Sequence, residues 1–513
     1  MDTKALRQKI LDLAIRGKLV PQDPADEPAA VLLERIRAEK QQMVKDGKLK
    51  AKDIKNDTVI YVGEDNLHYE KFSDGTVKCI EDEIPFEIPD GWAWARFSNI
   101  LELLSGQDLT PDRYNDSSIG IPYITGASNL LDGKVVINRW TPSPTTHATA
   151  GDLLLTVKGS GVGKMAFFDL PDAHIARQIM ALRCNPNIYR LYLAVLVPAI
   201  VSNLTSKANG IIPGISRDTI LKELVPIPPF AEQKRIYGTV KDLVDLINQI
   251  DKKRDLLEET ISIVKAKILD LAIRGKLVPQ DPADEPASVL LERIRADKEE
   301  QIKAGKIKRD KKESFIFRGE DNSYYLSRST HKEQVDAQFI FPLPPGWQWC
   351  TLSNISHFEL GKTLDQGKNT GDYYPYLRSA NIKWDSIDLS DLKEMRFEKE
   401  ELERYTIIKN DLLICEGGDV GRCCVWESTD TIMYQNALHR VRFFENCNPF
   451  FFMFYMWHYE LEGMLKPICN GVTIKHLTGD VLRSIPFALP PVEEQNRIVA
   501  KIREYFQVIE VLQ

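Results

Sequence analysis

Residues 9–38 read KILDLAIRGKLVPQDPADEPAAVLLERIRA, and residues 267–296 repeat them with a single change, Ala30 becoming Ser288. The echo runs outward from there. Gly63 to Asn66 (GEDN) returns at Gly319 to Asn322, and Gly91, Trp92 and Trp94 return as Gly346, Trp347 and Trp349, each set followed by Ser-Asn-Ile (Ser98 to Ile100, Ser353 to Ile355). Pro228-Pro229 with Glu232, Gln233, Arg235 and Ile236 returns as Pro490-Pro491 with Glu494, Gln495, Arg497 and Ile498. The offset stays near about 255 to 262 residues, which describes one duplicated module and not a solenoid of short repeats.

The two copies diverge unevenly. Between the tryptophan and Pro-Pro motifs, residues 95–227 and 350–489 share only landmarks: Gly151 to Leu154 against Asn410 to Leu413, Gly161 to Gly163 against Asp419 to Gly421, Gln178 against Gln435, and Asn209-Gly210 against Asn470-Gly471. Packing alone does not keep solvent-facing positions identical, because surfaces accept nearly any substitution and cores accept many apolar ones. Two copies of one partner together with two different ligands account for the pattern; recent recombination between the repeats is the alternative.

Composition narrows the class. With 513 residues the chain can hold two or three full cores. No apolar run approaches a membrane span and the N-terminus lacks an apolar signal core, so a cytoplasmic protein with no membrane association is expected. Eight cysteines in such a chain do not form a disulfide framework, and the adjacent Cys423 and Cys424 lack metal spacing. The net charge of −7 argues mildly against a lone nucleic-acid binder, but it divides into about +2 over 91–229 and about −5 over 346–491. Phosphate attraction would then come from local patches or from a partner.

Residues 233–274 carry the clearest helix. Apolar side chains fall at Ile236, Val240, Leu243, Ile247, Ile250, Leu257, Ile261, Val264, Ile268 and Leu271, a coiled-coil seam broken by Arg254 and ended by Gly275 and Pro279. The C-terminal residues Ile498, Ile502, Tyr505, Ile509 and Leu512 imitate the first part of this seam. The N-terminal Leu6, Ile10 and Leu13, stopped by Gly17, imitate the last part, with about one heptad missing between the termini. The simplest arrangement is circular: the termini together mimic the central helix and pack antiparallel to it. Asp26-Glu27-Pro28 and Asp284-Glu285-Pro286 predict a cap with proline in the first turn of a second helix reaching about 45 and 303. Lysine-rich stretches follow, Lys45, Lys48, Lys50, Lys52 and Lys55 in one copy and Lys303, Lys306, Lys308, Arg309, Lys311 and Lys312 in the other, which read as solvated linkers or as phosphate contacts.

The fold expected is α+β: two globular domains separated by a long antiparallel coiled coil in a circular pseudo-twofold repeat. Residues 1–20 and 492–513 form the two parts of the distal helix, 21–90 and 276–345 the repeated regions with linkers, 91–229 and 346–491 the globular domains, and 230–275 the central helix.

Catalytic look-alikes fail on their chemistry. Gly159 to Lys164 (GSGVGK) suggests a phosphate loop, but Lys158 stands at the required first glycine and Met165 at the Mg²⁺-holding hydroxyl. Ile227-Pro228-Pro229-Phe230 has no amide or carboxylate to hold a target amine, and eight scattered histidines offer no metal spacing. What remains suits binding. In the first domain the candidates are Arg113, Tyr114, Lys158, Lys164, Arg177 and Gln178; in the second, Lys362, Tyr373, Tyr374, Arg378, Asn381, Arg422, Gln435 and Asn436. Arginine and lysine read guanine, and glutamine and asparagine read adenine, in the major groove. For each, an ordinary structural role is the competing reading. The cations Arg16, Lys18 and Arg35, repeated as Arg274, Lys276 and Arg293, are the candidates for partner contact.

This order of motifs resembles the specificity subunit of type I restriction-modification systems over nearly the whole chain. The resemblance rests on LAIRGKLVPQ in both halves and on two variable domains, each closed by Pro-Pro-x-x-Glu-Gln-x-Arg-Ile (Pro228 to Ile236, Pro490 to Ile498). It implies a non-catalytic, double-stranded-DNA-binding subunit whose two domains each read half of a bipartite site, with the coiled coil setting the spacing. Two methyltransferase subunits would sit on the repeated regions, bind S-adenosylmethionine and methylate adenine, and restriction/translocase subunits would bring ATP and Mg²⁺; this chain would bind no cofactor or metal. A specificity subunit of a methyltransferase-only or type II-like complex, and a duplicated coiled-coil adaptor for proteins, are the alternatives.

Overall fold

The structure, a computed structural model, describes residues 2–511 except 52–53, 56, 160, 207–213, 306, 308, 310–312, 329–330, 366, 368 and 472–474. Lys52, Ser160, Asn209, Gly210, Lys306, Lys308, Lys311, Lys312 and Leu512, named above, lie outside the described residues. The chain divides into two units, Met1–Arg254 and Asp255–Gln513.

In the first unit, helix α1 (Thr3–Ile15) is capped by the Asp2 carboxylate, which accepts the Ala5 N–H at 2.9 Å. It stops at Gly17, whose φ of 66° is the left-handed conformation that a C′ glycine adopts without steric cost. Helix α2 (Ala29–Lys45) opens at a proline, but one position earlier than expected: Pro28 is the extended N-cap residue with ψ 143°, and no side chain caps the helix. A side-chain cap is not needed because the Gly91 carbonyl accepts the Ala29 N–H at 2.8 Å.

Sheets occupy the middle of the unit. A three-stranded antiparallel meander (Val59–Val62, His68–Lys71, Val77–Cys79) precedes two four-stranded sheets. One is antiparallel, in the order Met165–Phe167, Leu153–Thr156, Ile179–Cys184, Leu101–Ser105; the other is mixed, in the order His147–Thr149, Asp172–Ile175, Ile121–Ile124, Trp140–Thr141. Ala93–Arg96 pairs with Leu224–Ile227 as the domain leaves for the rod, after helix α3 (Leu193–Ser206).

The rod is helix α4 (Phe230–Ile273), 44 residues, and therefore roughly 66 Å at 1.5 Å per residue. Arg7 donates to Asn248 and Asp251, both at 2.8 Å, while Gln22 donates to Glu232 at 3.2 Å. Rising numbers on one side meet falling numbers on the other, so α1 runs antiparallel to the first half of α4.

The second unit repeats this architecture. Helix α5 (Ala287–Lys303) follows Gly275 (φ 64°), the sheets keep the same strand orders, and helices α6 (Pro449–Leu461) and α7 (Val492–Glu510) close the chain. Lys265 lies over Phe506 at 5.1 Å and Gln280 donates to Glu494 at 3.1 Å, so α7 is antiparallel to the second half of α4.

The buried stripe departs from the expected seam. In α7 the core residues are Ile498, Val499, Ile502, Phe506 and Ile509, whereas Tyr505 is 38% exposed. The reason is a second partner: Phe506 stands edge-on to Phe454 and Trp457 of α6, which pulls the stripe off the two-helix heptad. In α4, Leu269, Ala272 and Ile273 are buried while Leu257 and Val264 are exposed, and in α1 Leu6 is exposed beside buried Ile10 and Ala14. Every residue from 252 to 260 is exposed. Among the described residues no helix is long and apolar enough to cross a membrane.

Candidate nucleic-acid interface

Each globular region is bolted to the rod by the same contacts, and these explain the repeated motifs letter by letter. Trp92 Nε1 donates to buried Glu232 at 3.0 Å, Gln233 Nε2 donates to the Pro228 carbonyl at 2.9 Å and its Oε1 accepts the Tyr189 N–H at 2.8 Å, and Arg235 pairs with Asp26 at 2.5 Å. In the other unit Trp347 donates to Glu494 at 2.9 Å, Gln495 to Pro490 at 3.0 Å while accepting from Asn448, and Arg497 pairs with Asp284 at 2.6 Å. Burial pushes the Glu232 and Glu494 carboxyls up from their ordinary values, against the indole and amide donors that hold them ionised. Each of these glutamates belongs to the junction of its own unit.

The junction fixes which end of each globular region is distal. Strand Ile179–Cys184 ends where Asn185 donates to the Ile100 carbonyl at 2.9 Å and Tyr189 meets Gln233, so its Ile179 end points away from the rod. At that far end several loops are stitched into one lip. Val157 N–H donates to the Gln178 carbonyl (2.9 Å), Gly106 N–H to Ile179 (3.1 Å), Gln107 N–H to Ile175 (2.9 Å) and Ile215 N–H to Val157 (2.9 Å). Close approach makes glycine obligatory here: a Cβ at Gly106 would stand 2.1 Å from the Ala176 carbonyl oxygen, and one at Gly161 2.2 Å from Ala127 Cβ.

Exposed on this lip are Gln107, Lys158, Lys164, Arg177 and Gln178. Arg177 pairs with Asp108 at 2.7 Å and stays open to solvent. The side chains of Gln107, Lys158, Lys164 and Gln178 make no hydrogen bond or ion pair among the described residues. Arg113 lies elsewhere: it donates to the Ser143 carbonyl at 2.9 Å and braces a loop. Tyr114 packs on Tyr123 and under Arg139.

The second lip is tied by the corresponding bonds: Glu416 N–H to Ala437 (2.9 Å), Gly361 to Leu438 (3.0 Å), Lys362 to Tyr434 (3.2 Å) and Leu477 to Glu416 (2.7 Å). These set the true equivalences. Gln178 matches Ala437, while Gln435 and Asn436 match Ala176 and Arg177, so the sequence pairing of the two glutamines is two residues out of register. Residue type had matched where backbone position does not.

Several candidates are consumed inside this domain. Lys362 is buried and bridges Glu398 and Glu401, and the ammonium holds Glu398 well below the usual carboxylate range. Asn381 is 2% exposed; its Oδ1 accepts the Arg378 N–H at 3.0 Å and its Nδ2 donates to Asp388 at 2.9 Å and Asp391 at 3.2 Å, which leaves nothing for a base edge. Asn129 makes the same turn in the first unit, accepting from Thr125 at 3.0 Å and donating to Val136 at 2.8 Å. Arg378 pairs with Asp391 at 2.7 Å, and Arg422 pairs with Asp419 while donating to the Ser379 carbonyl at 3.0 Å. Gln435 and Asn436 are half-buried, their side chains unengaged among the described residues. Tyr373 is exposed beneath Arg396, whereas Tyr374 packs on Phe397.

Two segments of the chain, residues 89–259 and 344–513, match the model of the type I restriction modification DNA specificity domain. The chain belongs to that family. The EcoAI specificity subunit of the type I restriction enzyme of Escherichia coli is 28% identical, over 98% of this chain and 89% of its own length. The Escherichia coli EcoEI specificity subunit is 27% identical over 99% and 90%. A solved chain from a study of complex assembly and conformational transition of the type I R-M system aligns with a TM-score of 0.55 at 18% identity, covering 83% of this chain and 93% of that one.

In this member of the DNA specificity family the repeated element keeps most of its own cations occupied. Arg16 pairs with Asp12 at 2.6 Å and lies over Phe86 at 4.4 Å; Arg274 pairs with Asp270 at 2.5 Å and lies over Phe341 at 4.9 Å. Arg35 pairs with Glu27 at 2.5 Å, and Arg293 with Glu285 at 2.9 Å and Glu445 at 3.2 Å. Lys18 and Lys276, like Arg37 and Arg295 further along the repeat, project into solvent without an ion pair among the described residues. Sequence reading overlooked Gln107, and the signal that finds it is the forced glycine before it, Gly106, matched by Gly361 before Lys362. Among the described residues no cluster of metal-ligating side chains occurs.

Proposed function

We propose that this chain is the non-catalytic DNA specificity subunit of a cytoplasmic type I restriction-modification complex. Each lip reads one half of an asymmetric bipartite duplex site, and the antiparallel rod holds the halves apart in a pseudo-twofold arrangement. Two methyltransferase subunits sit on the repeated elements around 9–38 and 267–296, bind S-adenosylmethionine and methylate adenine; restriction/translocase subunits that use ATP and Mg²⁺ complete the complex. The carrying observation is that one junction is built twice from the same residues while the two lips it presents differ in nearly every exposed side chain. Identical attachment suits identical partners, and different lips suit different half-sites.

Co-expression with a type I methyltransferase subunit that assembles with it, followed by methylome sequencing, is the direct test. A single asymmetric bipartite motif is expected, and exchanging residues 95–227 for the segment of a relative should change one half alone. Alteration of both halves would refute independent readout. The purified chain alone should transfer no methyl group, and native mass spectrometry should saturate at two methyltransferase subunits per chain. A complex that methylates but never cleaves in the presence of ATP and restriction subunit would point to the methyltransferase-only alternative.

A further inference from the structure

The two lips differ most in how their cations are spent. In the first, Lys158 and Lys164 are exposed and meet no carboxylate among the described residues. They flank Gly159, Gly161 and Gly163, and Gly161 is drawn against Ala127 of the neighbouring loop. A Cβ at Gly161 would come within 3.7 Å of Lys164 Cδ, and one at Gly214 within 3.2 Å of Lys158 Cγ, so both lysine stems lie along the same stitched edge. In the second lip the position of Lys164 is taken by Arg422, tied to Asp419; Lys362 is closed between two glutamates, and Arg378 is held by Asp391. The loop opposite brings Glu416 to His476 at 3.3 Å. The regional charges, about +2 for residues 91–229 and about −5 for 346–491, follow the same division.

We propose that the first globular region is the electrostatic anchor of this protein on duplex DNA: Lys158 and Lys164 take phosphates beside the first half-site, and the second lip, whose Lys362, Arg378 and Arg422 are held by carboxylates although the half-buried Lys475 meets none among the described residues, contributes less to phosphate binding. The inference rests on the DNA-specificity reading above and adds to it an unequal division of labour between the domains. An ion pair closed inside the protein releases no counterions from DNA, whereas a free ammonium brought to a phosphate does, at a slope of about 0.9 in log K against log salt for each contact.

The test uses the full chain with its methyltransferase subunits and a fluorescent duplex bearing the motif found by methylome sequencing, titrated from 50 to 200 mM KCl. The double variant K158Q/K164Q should lower the salt slope by up to about 1.8, so that this rise in salt weakens it about tenfold less than the parental complex. The variant D419N/R422Q, which removes one charge of each sign from the second lip, should keep the parental slope. Lys158, Lys164 and Asp419 are exposed while Arg422 is partly buried on the Ser379 carbonyl, so each variant is read only with a thermal unfolding midpoint within a few degrees of the parent; the single variants K158Q and K164Q, each expected to remove about half the effect, serve if the double one unfolds. A folded K158Q/K164Q complex with the parental slope, or an equal fall in D419N/R422Q, overturns the anchor assignment while leaving the specificity function intact. A parental complex that prefers no duplex at all overturns both.

Discussion

At the scale of single residues, the chain spends its buried polar groups on the junctions. Trp92 Nε1 and Gln22 Nε2 both donate to the buried Glu232 carboxylate. Removing a donor leaves a buried carboxylate short of a partner, which costs about 1 to 3 kcal/mol. Trp92→Phe and, at the equivalent site, Trp347→Phe should each lower stability by about that amount in urea unfolding, and a loss under about 0.3 kcal/mol would show that the indole N–H contributes only packing. The buried histidines predict a pH effect. His174 Nε2 lies 2.9 Å from the Gln107 carbonyl, its Nδ1 accepts the Thr145 and Thr146 N–H groups, and burial depresses its pKa below 6.5. Burial likewise depresses His439 and His458 in the second unit. Below the unfolded-state value the unfolded chain binds more protons than the folded one, so stability is complete above about pH 6.5 and falls as pH drops from there toward the folded-state values. The thermal midpoint should therefore be lower at pH 5.5 than at pH 7.5, and His174→Gln should reduce that difference; equal midpoints at the two values would contradict the neutral assignment.

Helices and strands show where sequence reading succeeds and where it stops. The ends of α1, α2, α4 and α5 were legible because they depend on local signals, glycines at Gly17 and Gly275 and prolines at Pro28 and Pro286. The seam of α7 was legible in period and wrong by one position, because a heptad presumes one partner and α6 supplies a second. This difference is measurable. Phe506→Ala should cost about 3 to 5 kcal/mol as a buried aromatic, and Tyr505→Ala should stay within about 0.5 kcal/mol as a surface change. The reverse order in denaturant midpoints would restore the simple two-helix seam. The lips were the least legible elements. Glu398 and Glu401, which close around Lys362, lie 36 and 39 residues beyond it in the chain, and no local pattern announces that meeting. Lys158 and Lys164 were readable as cations, but that they are unpaired while Arg422 is spent emerges only once Asp419 and the Ser379 carbonyl are in place.

At the scale of the whole molecule, α4 offers a stretch whose length can change without touching either lip. Residues 252–260 are exposed throughout, between the contact of Asp251 with Arg7 and that of Lys265 with Phe506. Deleting Lys252 to Glu258 therefore removes no buried side chain. Seven residues are close to two helical turns, so the buried faces of the two halves of α4 keep nearly the same angular relation, and the helix shortens by roughly 10 Å at 1.5 Å per residue. On DNA that distance is about three base pairs at a rise of 3.4 Å. If the rod spaces the two half-sites, methylome sequencing of the deletion strain should find both half-site sequences unchanged and the unread spacer shorter by up to three base pairs. Deleting three or five residues from the same stretch turns one half of the helix against the other and should cost assembly with the methyltransferase instead. A folded, methylating heptad-deletion protein with the parental spacer would mean that the partner subunits, and not this helix, set the distance.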